Sequence, residues 1–176
     1  FAQVKGQQSA RLALEIAAAG YHNIILSGVP GCGKTLMAKC LPSIMPALTF
    51  EKSIETSKIY SVSGILQNLG GFIKEAPFRT PHHTTTVTAF TGGGHSSLPG
   101  EMSLAHNGIL FMDEFCEFPR HIIEALRQPM EDGTIQISRV KNKYLYPADF
   151  MLVATMNPCP CGFYGSTAHN CTCSTA

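Results

Sequence analysis

Residues 28–35, Gly-Val-Pro-Gly-Cys-Gly-Lys-Thr, carry the densest chemical signal in the chain. They fit the phosphate-binding pattern G-x-x-x-x-G-K-[ST] and follow the apolar run Ile24-Ile25-Leu26, a short buried-strand candidate leading into a helix candidate. Gly28, Gly31 and Gly33 let the backbone turn tightly enough to aim several N–H groups at one anion. The helix that opens near Lys34 adds the positive end of its dipole. Lys34 can reach the outer phosphates, and the Thr35 hydroxyl is placed to complete the shell of a Mg²⁺. Pro30, Cys32 and Leu36 complete the set expected to contact a nucleotide triphosphate, Cys32 at a position the pattern leaves free.

Two further apolar runs end in residues that could act on the same ligand. Residues 108–114, Gly-Ile-Leu-Phe-Met-Asp-Glu, read as a strand buried on both faces of a parallel sheet. Ligands sit at the carboxyl ends of such strands, so Asp113 is expected beside the Mg²⁺ held by Thr35. Glu114, one residue on, could polarise the water that attacks the terminal phosphate. Residues 150–155 form another buried-strand candidate, followed by Met156-Asn157-Pro158. Asn157 could hold that water or sense the terminal phosphate; a turn-initiating Asn-Pro is the plainer alternative.

The remaining reactive residues form three groups. Cys159-Pro-Cys161 and Cys171-Thr-Cys173 are two C-x-C pairs flanking the loop 162–170. Four thiolates at that spacing could surround one structural Zn²⁺; an iron–sulfur cluster or four free thiols are the other readings. Cys32, Cys40 and Cys116 read as small packing residues. Arg139, Lys141 and Lys143 cluster near the tip of a hairpin candidate, with Tyr144 and Tyr146 close by, which suits either a nucleic-acid backbone or simple solvation. Pro81-His82-His83-Thr84 pairs two histidines whose side chains would point apart in an extended segment.

These residues need elements to position them. Ala10, Ala13, Leu14 and Ala17 give the apolar stripe of a helix over 7–19, with Gly20 as its stop. The first strand is expected at 24–27, and the next helix is expected to run to Leu41, ended by Pro42. A helix over 51–60 precedes a Gly-, Thr- and Pro-rich insertion over 61–100, with one short strand near 78–80 and a loop at Gly92-Gly93-Gly94. Pro119 opens a helix to about Gln128, Glu131-Asp132-Gly133 turns, and a hairpin spans about 134–147 with its tip at 139–143.

Bulk properties narrow the class. The chain has 176 residues and 44% hydrophobic content, enough for one folded core. A formal net charge of +1 leaves any nucleic-acid contact to a local patch. No apolar run reaches the ~20 residues a bilayer crossing needs, so a cytoplasmic location without membrane contact is the default, and disulfides would be out of place there. The start at Phe1 suggests a piece of something longer.

Taken together, residues 28–35, 109–114 and Asn157 resemble the Walker A, Walker B and sensor-1 elements of an AAA+ ATPase. Tyr60-Ser61-Val62, the strings at 77–84 and 99–108, Glu124-Ala125-Leu126-Arg127-Gln128-Pro129-Met130-Glu131-Asp132-Gly133 and Met156-Asn157-Pro158-Cys159-Pro160-Cys161-Gly162 narrow this further. They resemble the YifB/ComM proteins, a bacterial branch related to the magnesium-chelatase ATPase subunit. That resemblance implies a P-loop α/β/α fold with a parallel sheet of order 5-1-4-3-2 and a hairpin inserted before sensor 1. It implies an ATPase using ATP and Mg²⁺, a hexameric ring with ATP between subunits, and a helicase acting on DNA in recombination or transformation. A chelatase-like motor with protein and tetrapyrrole partners, or a non-catalytic scaffold, are the alternatives. The fifth strand, arginine finger, sensor-2 arginine and helical lid are expected beyond residue 176, so the isolated segment should bind nucleotide weakly and turn over little. In the full-length protein, Lys34→Ala should abolish productive nucleotide binding in a fluorescent-ATP titration; retained affinity would remove Lys34 from the site.

Overall fold

Two apolar runs form the central strands of a parallel sheet in the computed structural model, which describes residues 1–2, 4–68, 71–94, 96–138 and 143–174. The first half contains α1 (Gln8–Gly20), β1 (Ile24–Ser27), α2 (Lys34–Cys40), α3 (Phe50–Val62) and β2 (Phe78–Arg79). Then come α4 (Val87–Thr91), β3 (Gly92–Gly93), β4 (Leu98–Pro99), α5 (Glu101–Leu104) and β5 (Ile109–Met112). The last third holds α6 (Arg120–Ala125), α7 (Arg127–Asp132), β6 (Thr134–Ser138), β7 (Lys143–Pro147) and β8 (Met151–Met156).

The main sheet runs β1-β8-β5-β2, all parallel, which is the 1-4-3-2 portion of the expected order. No fifth strand joins it among the described residues, and β1 forms one edge with Ile25 53% exposed. β5 is wholly buried and β8 nearly so, as strands covered on both faces must be. Their alternate side chains serve different layers. Ile109, Phe111, Met151 and Val153 pack with Leu14, Ala17 and Ala18 of α1 and Met37 and Ala38 of α2. Leu110, Met112 and Leu152 pack on the other face with Phe90, Met102, Ile122, Leu126 and Ile135. The fold is therefore three-layered, with apolar burial on both faces as its main support.

Several expected elements differ in detail. The buried stripe of α1 is Leu14, Ala17 and Ala18, with Ala13 exposed, and Tyr21 rather than Gly20 takes the left-handed cap at φ 55°. Pro42 does not stop the chain's coiling: after Cys40 it tightens into a 3₁₀ turn, Leu41–Ile44, with Pro42 in the first turn, where no N–H is required. The single helix expected over 119–128 is two, because Pro129 cannot donate to the carbonyl four residues back. It sits instead in the first turn of α7, and Gly133 closes that helix at φ 64°. The strand near residue 78 belongs to the main sheet, not to an appended insertion: Phe78 pairs with Ile109. Arg79 then meets Glu101 through two 2.7 Å bonds, tying this edge to α5. The hairpin β6–β7 forms as expected, with Ile135 and Ile137 on its buried side.

Gly108 marks a tight backbone approach at the start of β5. A Cβ there would lie 2.2 Å from the Pro77 carbonyl oxygen, while its own carbonyl accepts from Met151 N and the Tyr21 hydroxyl. Gly108→Ala should lower stability of the full-length protein by about 1–3 kcal/mol, the usual range for overpacking, seen as a lower urea midpoint. An unchanged midpoint would mean that the chain at Pro77 moves aside freely.

Candidate nucleotide site and cysteine cluster

Strand register brings distant residues to one edge. Ser27 pairs with Met156, and the Gly28 N–H donates to the Met156 carbonyl at 3.4 Å, so the phosphate-loop pattern begins beside Asn157. Met112 pairs with Ala154, which carries Asp113 to Thr155 one step further. The carboxyl ends of three parallel strands thus meet at one place.

The polar contacts there are dense. Lys34 Nζ donates to the carbonyls of Gly28 (2.7 Å) and Val29 (3.0 Å) and to Asn157 Oδ1 (3.2 Å). Thr35 Oγ1 lies 3.1 Å from both Asp113 oxygens. The Thr155 hydroxyl donates to Asp113 Oδ1 and accepts from the Glu114 backbone N–H at 3.1 Å. Glu114 itself is left-handed (φ 54°, ψ 51°), a conformation that costs a non-glycine residue about 1–2 kcal/mol. The turn after β5 throws its carboxylate out to the surface beside the strand ends.

A cavity of about 180 Å³ is lined by Pro30, Gly31, Lys34, Thr35, Asp113, Glu114 and Asn157, among others. A larger one, about 510 Å³, shares Glu114 and Asn157 and reaches His83, Cys116 and Cys159. The ammonium of Lys34, the hydroxyl of Thr35 and the carboxylates of Asp113 and Glu114 converge on the smaller cavity. Its donor set fits a magnesium nucleotide: a hydroxyl and a carboxylate are hard oxygen ligands, and Gly31 (φ 78°) and Gly33 (φ 89°) shape a loop around an anion.

Not every expected contact reaches this cavity. Leu36 is 49% exposed on α2, outside the wall, and Cys32 instead lies against Gly28 with its sulfur 3.9 Å from Lys34 Nζ. Arg139 and Lys141 fall outside the described residues; Lys143 is exposed on β7, opposite Ser138. The histidine pair is a correction. A turn at 82–85 replaces the extended segment, and the two rings lie 4.0 Å apart, centroid to centroid. Thr155 was not anticipated. Its one sequence signal is a hydroxyl inside an otherwise apolar run, and it is 2% exposed.

Beyond Asn157 the chain folds back on itself. Cys159, Cys161, Cys171 and Cys173 bring their sulfurs within 4.8 Å of one another. Backbone N–H groups of Phe163 and Thr172 pull the Cys161 thiol down to about 5. Against the Cys173 N–H, the Cys161 sulfur and burial push Cys171 up to about 12.

A family profile for magnesium chelatase, subunit ChlI, matches residues 1–176. The chain belongs to the ChlI family. It is 50% identical over 167 residues to the competence protein ComM of Haemophilus influenzae, covering 94% of this chain and 32% of that protein. It is 46% identical over 169 residues to the uncharacterized protein YifB of Escherichia coli, covering 96% and 33%. This ChlI-family chain thus spans about a third of the length of the curated relatives it matches. Among solved structures, the BchI–BchD complex of magnesium chelatase gives a TM-score of 0.65 at 21% identity, covering 88% of this chain and 53% of that one. NtrX from Brucella abortus in complex with ATP gives 0.59 at 19%, covering 96% and 35%. These establish a shared fold. No helix among the described residues is long and apolar enough to cross a membrane.

Thr155→Val keeps the shape but removes two bonds, one of them holding the Glu114 backbone. If the full-length protein hydrolyses ATP, its turnover should fall by up to about 100-fold, with nucleotide affinity much less affected. Equal turnover would show that Asp113 and Glu114 hold their places without it.

Proposed function

We propose that this ChlI-family chain is the ATP-binding and ATP-hydrolysing core of a motor of the ComM/YifB kind, assembled as a hexameric cytoplasmic ring that acts on DNA. One observation supports the ATPase reading above all. Lys34, Thr35, Asp113, Glu114 and Asn157 line a single cavity although up to 123 residues separate them in the chain.

In this reading Lys34 exchanges one of its oxygen partners for a phosphate oxygen and keeps the others as struts. Thr35 and Asp113 would hold Mg²⁺, which when bound neutralises charge on the phosphates. Asp113 is kept in line by the Thr155 hydroxyl, so its carboxylate faces Thr35 at no further ordering cost. Glu114 accepts a proton from the attacking water, and Asn157, beside Lys34, orients that water or reads the terminal phosphate. An ATP molecule at the edge of this cavity would be completed by groups of a neighbouring subunit. DNA would meet the β6–β7 hairpin, where Lys143 stands exposed.

The likeness to the BchI–BchD complex favours a second reading, a chelatase-type motor whose partners are protein subunits. Turnover distinguishes the two. Phosphate release by the full-length protein, with and without single-stranded and branched DNA at modest salt, should rise with DNA. Glu114→Gln should lower it by about 10²–10⁴-fold while nucleotide affinity stays. Normal turnover by that variant would remove Glu114 as the base, and turnover indifferent to DNA would favour the chelatase-type motor.

A further inference from the structure

We propose that Cys159, Cys161, Cys171 and Cys173 bind one structural Zn²⁺, and that the knot so formed braces the phosphate-binding loop by pressing Gly162 against Pro30. Both halves rest on geometry. A tetrahedral zinc with Zn–S bonds of about 2.3 Å sets its sulfurs about 3.8 Å apart. Here Cys159 and Cys161 are 3.4 Å apart, Cys159 and Cys171 3.8 Å, and Cys161 and Cys171 3.5 Å. These separations are far beyond a disulfide's ~2.05 Å, and all seven cysteines are free thiols. The mutual limit of 4.8 Å leaves room for one ion rather than a multi-iron cluster. Thiolate ligands of this kind usually receive backbone N–H groups from an outer layer of contacts. Such groups are in place: Tyr164 N lies 3.3 Å from Cys159 Sγ, and Cys161 N lies 3.4 Å from Cys173 Sγ.

The brace follows from one glycine. Gly162 is buried at φ +84°, immediately after Cys161, and a Cβ there would stand 2.8 Å from both Cδ and Cγ of Pro30. Pro30 lines the nucleotide cavity, as does Asn157, two residues before Cys159. A loop from 157 to 174 without regular secondary structure cannot hold these positions by a hydrogen-bond ladder. A metal ion closing both ends of that loop can. Ordering of the loop therefore becomes ordering of Asn157 and of the turn that cradles phosphate.

The bracing half depends on the nucleotide reading above; the metal half does not, and metal content is measured without nucleotide, so the two fail separately. Full-length protein purified without added metal or chelator should contain one zinc per chain by elemental mass spectrometry. Cobalt exchanged into it should give the absorption of a tetrahedral thiolate site. The double variant Cys171→Ser, Cys173→Ser should lose the zinc, and its affinity for a fluorescent ATP analogue should fall by about tenfold or more. Gly162→Ala should keep the zinc yet weaken nucleotide binding similarly, since its Cβ pushes on Pro30. Absence of zinc, iron in its place, or zinc retained by the double variant would overturn the site. Zinc loss with unchanged nucleotide affinity, or unimpaired binding by Gly162→Ala, would overturn the brace. If the double variant does not fold, the native protein's metal content and cobalt spectrum still decide the site.

Discussion

The parallel pairing of β8 between β1 and β5 is the constraint on which the rest depends. It is a backbone ladder, but its register is held by side chains on both faces of the sheet. A slip of one residue would turn Val153 and Met151 toward the α6 side and Leu152 toward α1, exchanging two differently shaped cores at once. That cost locks Met156 beside Ser27 and Ala154 beside Met112. Asp113, Glu114, Thr155 and Asn157 lie one or two residues beyond those pairs, and Lys34 and Thr35 open the helix that follows the turn after Ser27. The apolar layers thus set the positions of the polar groups to within the reach of a hydrogen bond.

At the strand ends the balance of forces changes. The backbone leaves the ladder, and its orphaned groups are met by side chains: Thr155 takes the Glu114 N–H, and Lys34 takes the carbonyls of Gly28 and Val29. Glu114 adopts a strained left-handed turn there, and its neighbours over-determine it, as is common where a side chain must be aimed. The end of β8 runs on into the cysteine loop, whose Gly162 lies against Pro30 of the glycine-rich turn. The opposite edge, at β2, is secured differently, by the paired Arg79–Glu101 contact, whose carboxylate holds the guanidinium's pKa up against the cost of burial.

Chain connectivity explains why the hairpin and the short helices surround this sheet rather than extend it. Among the described residues β6 and β7 pair only with each other, and they lie over the second core through Ile135 and Tyr146, whose hydroxyl reaches the Ser97 carbonyl. Their outer side keeps Lys143 and Leu145 at the surface, opposite Ser138 and Gln136. This leaves a feature that projects from the core without altering the register on which the cavity depends.

Composition and spacing determined a great deal by themselves. Runs such as 109–112 and 150–154 are apolar at every position, which suits a doubly covered strand, and a G-x-x-x-x-G-K-T string after such a run has few structural solutions. Alternation in 134–138 likewise announced a strand with one buried side. These signals are local, so the strands, the glycine-rich turn after β1 and the hairpin were legible. Contacts between segments were not. The role of Thr155, the membership of Phe78 in the main sheet and the seating of Gly162 on Pro30 each depend on residues far apart in the chain. The split of one expected helix at Pro129 shows the same limit at short range, since a proline in a first turn and one in a helix interior read alike in sequence. Local preference states what a segment can be; only packing against the other layers decides what it touches.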